Sequence, residues 1–330
     1  MGAAPSSDAS TLTKIVVTGA AGFLGSHLVD RLLERRSNEV TGIDNFVTGR
    51  EQNLREALES PRFRSVRADL SRLARLPRAD RYFHLASPAS PVAYQRDPVG
   101  TLLVNSTGTQ RVLESARRAD ARVVVASTSE VYGDPEVHPQ PEGYWGHVNP
   151  VGVRSCYDEG KRYLEALSAA YRRHYGLDVR IVRIFNTYGP RMDPRDGRIV
   201  SNFIVQGLRG EPFTIYGRGT QTRAFCYVSD LVRGLELLME ARRDVPTPMN
   251  LGNPREFTVR KAAEVIARTL DVPMRAVFRP LPEDDPKQRV PVIRLARKHL
   301  GWSPRIPFEE GIRSTVEYFR TLGIGRGRRS

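Results

Sequence analysis

The stretch from Lys14 to Leu33 limits this chain to few folds. An apolar, β-branched run from Lys14 to Thr18 leads into Gly19-Ala20-Ala21-Gly22-Phe23-Leu24-Gly25, and then Leu24, Leu28, Val29, Leu32 and Leu33 recur at helical spacing. A strand, a glycine-rich turn and a helix in this order put backbone N–H groups and the positive helix end where a pyrophosphate can sit. The spacing is G-x-x-G-x-x-G, not the commoner G-x-G-x-x-G. A glycine triplet alone is often only a tight turn, so its context carries the argument. About 20 residues on, Val40 to Asp44 reads as a second strand ending in a carboxylate. A carboxylate there accepts hydrogen bonds from an adenosine ribose and repels a 2′-phosphate, which favours NAD over NADP. Arg50 weakens that preference without reversing it.

The alternation then repeats. Phe63–Asp69, Arg81–Leu85, Arg122–Ala126 and Asp178–Ile184 read as strands, while Val99–Arg118 and Tyr157–Tyr175 read as helices. The expected fold class is therefore α/β, a Rossmann-type doubly wound parallel sheet, with a smaller C-terminal α/β substrate-binding portion. The expected organisation is a leader at 1–12, a dinucleotide-binding unit at 13–190 with 224–252 returning to it, a sugar-nucleotide portion at 191–223 and 253–322, and a basic tail at 323–330. Ligands bind outside the carboxyl ends of such strands. Asp69, His84-Leu85-Ala86-Ser87 and Ser127-Thr128-Ser129-Glu130 all fall there and together describe a cleft.

Tyr157 and Lys161 open the second long helix four residues apart, so their side chains share a face. A tyrosine is a weak base at neutral pH, but a nearby lysine cation favours its phenolate. The pair is thus a candidate acid/base, although Tyr-x-x-x-Lys alone often marks only a solvated helix face.

Composition excludes little more. The formal charge of +14 is almost wholly arginine, since lysine occurs only at 14, 161, 261, 287 and 298. Those arginines are scattered and form no basic stripe, which argues against nucleic acid as a partner. No run is apolar enough for a membrane helix. Cys156 and Cys226 fit a reducing, cytoplasmic setting and small packing roles better than a disulfide.

The motifs His84-Leu-Ala-Ser-Pro-Ala-Ser-Pro91, Ala126-Ser-Thr-Ser-Glu-Val-Tyr-Gly133, Ser155-Cys-Tyr-Asp-Glu-Gly-Lys161, Arg183-Ile-Phe-Asn-Thr-Tyr-Gly-Pro-Arg191 and Val200-Ser-Asn-Phe-Ile204 extend the pattern over almost the whole chain. With them the sequence resembles the extended short-chain dehydrogenase/reductases that act on nucleotide sugars, and most of all the UDP-glucuronate decarboxylases. The resemblance implies oxidation of the C4′ hydroxyl of UDP-glucuronate on bound NAD, loss of carbon dioxide from the 4-keto acid, and reduction to UDP-xylose. It implies catalytic roles for Tyr157, Lys161, Thr128, Glu130 and Arg223. It implies a cofactor site made by Gly19, Gly22, Phe23, Leu24, Gly25, Asp44, Asn45, Phe46, Thr48, Gly49, Asp69, Leu70, Leu85, Ala86, Ser87, Tyr157, Lys161 and Thr187. For the sugar nucleotide it implies Ser87, Glu130, Asn186, Arg191, Asn202, Tyr216, Arg223 and Arg289, with Arg289 among the groups holding the UDP phosphates or ribose. It further implies a homodimer through helices at about 99–118 and 157–175, with Tyr163, Leu167 and Tyr171 as candidate contacts that core packing would explain equally well.

Relatives supply the alternatives. A nucleotide-sugar 4,6-dehydratase would carry an acid where Ser129 stands, and UDP-sugar 4-epimerases usually lack a counterpart of Glu130. A non-catalytic NAD- or RNA-binding protein on the same fold is the reading from a different class. No metal site is expected.

Overall fold

The computed structural model describes residues 12–281 and 288–325. Seven strands form one parallel sheet: β1 (Thr13–Thr18), β2 (Asn38–Asp44), β3 (Phe63–Arg67), β4 (Arg81–His84), β5 (Arg122–Thr128), β6 (Val179–Ile184) and β7 (Met249–Leu251). Their spatial order is β7-β6-β5-β4-β1-β2-β3, with every neighbouring pair parallel. The chain therefore starts in the middle, winds outward through β3, and returns to the other side of β1. The crevice at that reversal is where an open α/β sheet binds ligands.

Alternation along the strands explains why both faces are covered. Ile15, Val17, Val124 and Ala126 point into one buried cluster, and Val16, Val123 and Val125 into another. The first cluster is closed by α1 (Phe23–Leu33) and by the helix Val228–Glu240. The second is closed by α2 (Thr109–Ala119) and α3 (Ser155–Tyr175). Helical structure before α2 begins at Pro98 and passes through a π-turn, Val104–Gly108. The helix expected from Val99 thus forms with a bulge inside it.

A further cluster gathers Phe203, Phe213, Phe225, Phe257, Phe308 and Phe319, and it defines a smaller lobe beside the sheet. This lobe includes the helices Ile199–Leu208, Val259–Leu270 and Phe308–Thr321. Its strands are two to four residues long, and Glu256–Thr258, Ala276–Arg279 and Gln288–Arg289 lack any legible sequence period. The segment at 293–302 departs from the expected organisation: Ile293, Ala296 and Trp302 pack in the sheet's own core, where Trp302 Nε1 donates to Asp230 O at 2.8 Å. Ile324 packs against the smaller lobe, so the tail expected from 323 does not begin there. The rest of that expected tail, 326–330, lies outside the described residues, as does the leader at 1–11.

Candidate active site

The carboxyl end of β1 runs straight into the glycine turn. Gly19 has φ +72, and a Cβ on Gly25 would lie 1.9 Å from Gly19 O, so neither position admits a side chain. The turn delivers α1 with no side-chain cap and no acidic residue in its first turn, which leaves its N–H end suited to an anion. Asp44, at the end of β2, closes the turn from the side. Its Oδ2 accepts from Ala21 N at 2.9 Å and its Oδ1 from Phe46 N at 2.8 Å. Burial raises its pKa, and these backbone donors oppose the rise. Asp44 therefore holds the turn together as well as standing where a ribose would lie.

Around this crevice Asn45, Phe46, Thr48 and Gly49 form the loop after β2, with Phe46 at φ +62 under the Arg67 guanidinium. Asp69 accepts from Ser71 N at 2.8 Å, and Leu70 is buried in the helix-side core. Leu85, Ala86 and Ser87 continue β4, and Ser87 Oγ accepts from Asn105 Nδ2 at 3.0 Å. Thr187 is buried, with its hydroxyl donating to Phe185 O. Arg50, expected to bear on cofactor choice, is tied to Asp193 at 2.5 Å.

Tyr157 is 5 % exposed, and its ring stacks on Tyr94 with centroids 5.0 Å apart and planes 5° apart. Its hydroxyl shares a hydrogen bond with Thr128, at the end of β5. Lys161 lies 5.8 Å from the Tyr157 ring centre, and its Nζ donates to Ala126 O at 2.8 Å. The helical spacing therefore brings Tyr157, Lys161 and Thr128 together. Burial pushes the Tyr157 phenol up, against the pull of Thr128. Burial also drives Lys161 down to about 7, against support from Glu165. Desolvation is the largest influence on both groups.

Next to this pair lies a charged cluster. Glu130 follows Thr128 in the short helix Ser129–Tyr132, and its two carboxylate oxygens ion-pair separately with Arg154 and Arg289. Burial alone would raise the Glu130 pKa, but Arg289 and Arg154 outweigh it and hold it at about 2. Arg289 is 2 % exposed and also donates to Gly133 O at 2.6 Å. It therefore stands beside Glu130. The reason lies in strand pairing: Gln288–Arg289 adds in parallel to Thr222–Ala224 and sets Arg289 beside Arg223. Arg223 is 7 % exposed and donates to Thr222 O at 2.8 Å.

The other expected sugar-nucleotide residues are spread out. Arg191, at φ +65, turns to α1 and pairs with Asp30 at 2.5 Å, away from the Glu130 cluster. Asn202 donates to Gly197 O and lines a cavity of about 650 Å³ with Arg50, Arg195 and Arg209. Tyr216 ends its strand 41 % exposed, and Asn186 O accepts from Cys226 N. Sequence reasoning missed Arg154, Asp158 and Tyr94. Arg154 and Asp158 flank Tyr157 in sequence, and the i to i+4 step between them was the available signal. Among the described residues no group of His, Cys, Asp and Glu is arranged to hold a metal ion.

Residues 15–252 match the NAD dependent epimerase/dehydratase family. The chain is 50 % identical over 312 residues to UDP-glucuronic acid decarboxylase 5 of Arabidopsis thaliana, covering 94 % of this chain and 91 % of that one. It is 50 % identical over 306 residues to UDP-glucuronic acid decarboxylase 1 of Danio rerio, covering 93 % of this chain and 72 % of that one. Among solved structures, the UDP-glucuronic acid 4-epimerase of Bacillus cereus in complex with UDP-glucuronic acid and NAD aligns with a TM-score of 0.86 at 28 % identity, over 94 % of this chain and 99 % of that one.

Proposed function

The chain belongs to the NAD dependent epimerase/dehydratase family, and from that premise we propose that it decarboxylates UDP-glucuronate to UDP-xylose through a UDP-4-keto-hexuronate, regenerating its NAD. The observation that carries the reading is the arginine-clamped Glu130 next to Tyr157 and Thr128. Redox at a sugar hydroxyl needs only the Tyr157 side of that site. A substrate that also bears a carboxylate calls for the cationic side.

Bound NAD would supply the hydride acceptor and a cationic ring. The turn Gly19, Gly22, Phe23, Leu24 and Gly25 would hold its pyrophosphate, Asp44 its ribose, and Lys161 and Tyr157 its nicotinamide end. With that cation offsetting burial, Tyr157 would enter as the phenolate and take the C4′ hydroxyl proton, while Thr128 donates to the C4′ oxygen. The carboxylate is then β to a ketone. As carbon dioxide leaves, the electron pair of the broken bond moves onto the C4′ oxygen. A phenol whose pKa is pushed up by burial keeps the proton it has gained, so Tyr157 is a lasting donor to that oxygen. After protonation at C5′ the ketone is reduced, and Tyr157 returns its proton to O4′. Glu130 stays ionised in its clamp, so we assign it and Arg289 to positioning the water or relay at C5′. We assign Arg223, set beside Arg289 by the strand pairing, to the same C5′ position.

Incubation with UDP-glucuronate tests the reading. Carbon dioxide and UDP-xylose are the expected products. UDP-galacturonate would identify a 4-epimerase instead, and absence of turnover despite bound NAD would identify a binding protein.

We propose further that the protein is a cytoplasmic homodimer. Val99, Leu102, Leu103 and Tyr163 on the two expected pairing helices are between 42 % and 65 % exposed, which supports that face. Tyr171 and Leu167 pack into the core below it. Both cysteines are buried and unpaired, as suits a reducing compartment, and no helix among the described residues is long and apolar enough to cross a membrane. A sedimentation profile of a monomer would remove the dimer.

A further inference from the structure

The Tyr157 side of the site rests on a carboxylate that the chemistry above does not use. Glu165 stands one helical turn beyond Lys161 on α3, an i to i+4 step that puts both on one face. Its Oε1 accepts from Ser127 Oγ at 2.6 Å and from Arg183 Nε at 2.9 Å, and its Oε2 accepts from Arg183 Nη2 at 2.7 Å. Two bonds from one guanidinium fix a carboxylate in position and in plane. Arg183, on β6, is itself held: its Nη1 donates to Tyr132 Oη and to Glu142 O, each at 3.0 Å, and Tyr132 Oη donates onward to Asn250 Oδ1 at 2.8 Å. Ser127 is the middle residue of the strand end that holds the reacting pair. Before it, Ala126 O accepts from Lys161 Nζ at 2.8 Å; after it, Thr128 shares a hydrogen bond with Tyr157. One carboxylate thus braces the partners of both groups. Lys161 is buried, and burial first, then the Glu165 charge in the opposite sense, set its pKa at about 7. The other titratable groups against it are Tyr157 on its own helix and His84 on β4, which burial and then Lys161 drive down to about 3, so that imidazole is neutral.

We propose that Glu165 is a positioning residue for the reaction: braced by Arg183 and Ser127, it keeps Lys161 as the ammonium and aims the strand end at Lys161 and Tyr157. It acts through Lys161 and Ser127, without touching substrate or cofactor. The inference rests on the reading of Tyr157 and Lys161 given above. Arg183 fixes the carboxylate and also offsets part of its charge. Glu165→Gln therefore deletes a negative charge and leaves the Arg183 cation uncompensated, and both changes favour the neutral lysine. A role confined to packing has the opposite sign. A loosened site admits water, and a hydrated lysine moves up toward its ordinary range.

The test follows the lysine itself. Lysine occurs only at 14, 161, 261, 287 and 298, so carbon-13 labelling at lysine Cε gives the NAD-loaded protein few NMR signals, and Lys161→Met assigns the one of interest. Titrated from about pH 5 to about pH 10, the Lys161 signal should have its midpoint lower by about one pH unit or more in Glu165→Gln than in the wild type. Above both midpoints that shift leaves roughly tenfold less ammonium, so NADH formation in the first turnover with UDP-glucuronate falls roughly tenfold there, with UDP-glucuronate affinity unchanged. A midpoint that stays in place or rises in Glu165→Gln overturns the proposal, and so does a lowered midpoint with NADH formation unchanged. The double variant Glu165→Gln, Arg183→Met buries no unpaired charge and carries the same expectation with a smaller shift, so the test stands even where the single variant fails to fold. Wild-type protein that forms no NADH with UDP-glucuronate would sink the reading of the function, while the midpoints would still decide the role of Glu165.

Discussion

The site has two halves built in opposite ways. The redox half, Thr128, Tyr157 and Lys161, comes from one strand end and one helix, and is held by backbone contacts such as Lys161 Nζ to Ala126 O. Its groups are buried, and burial drives Tyr157 and Lys161 toward their neutral forms. The charged half, Glu130, Arg154 and Arg289, joins residues far apart in sequence and holds its carboxylate charged by direct ion pairs. One half is set by local spacing and desolvation, the other by long-range pairing and Coulomb attraction. The two should therefore fail differently when broken.

The largest expected effect lies in the redox half. Tyr157→Phe removes one hydroxyl and no charge, so we predict NAD content near normal and turnover lower by about 10³-fold. Near-normal turnover in that variant would refute Tyr157 as the base. In the other half, Arg289→Met strips one partner from a buried carboxylate. We predict a loss of about 3 kcal/mol in denaturant unfolding together with a large loss of decarboxylation. A variant as stable as the wild type would show that Arg154 alone can hold Glu130, and the contrast between the halves would weaken.

The same contrast governs what could be read in advance. The individual strands, the helices and the meeting of Tyr157 with Lys161 follow from period and spacing, since each depends on residues close in sequence. Arg289 could not be placed that way. Its position depends on Gln288–Arg289 adding to Thr222–Ala224, a two-residue pairing between distant segments. Arg191 was likewise drawn to Asp30 by a turn whose direction only the fold sets. The state of Tyr157 was illegible for a different reason: spacing gives proximity but not burial, and burial is the largest influence on its phenol.

Lys161 offers a smaller and sharper test. Its folded pKa lies near 7, well below that of an unfolded lysine, so the folded state binds its proton less tightly than the unfolded state does. Stability linked to this group is present above the unfolded pKa and is lost as pH falls through about 7. Lys161→Met removes that loss. We predict a gain in melting temperature of a few degrees at about pH 6, shrinking toward about pH 9.5. Equal gains at both pH values would mean that the lysine keeps its ordinary pKa and that desolvation does not rule this half.

The smallest effect is expected at Tyr94, and it separates shape from polarity within the redox half. Its ring lies flat against Tyr157, while its hydroxyl is buried without a hydrogen-bond partner. Stacking depends on the ring, which phenylalanine keeps. Losing a buried hydroxyl that bonds to nothing costs little and relieves its desolvation. Tyr94→Phe should therefore shift stability by no more than about 0.5 kcal/mol, in the stabilising direction, and leave turnover unchanged. A marked fall in turnover with stability intact would mean that the Tyr94 hydroxyl takes a partner once substrate is bound. The redox half would then rely on a polar group contributed from the helix Pro91–Arg96, beyond the one strand end and one helix that build it here.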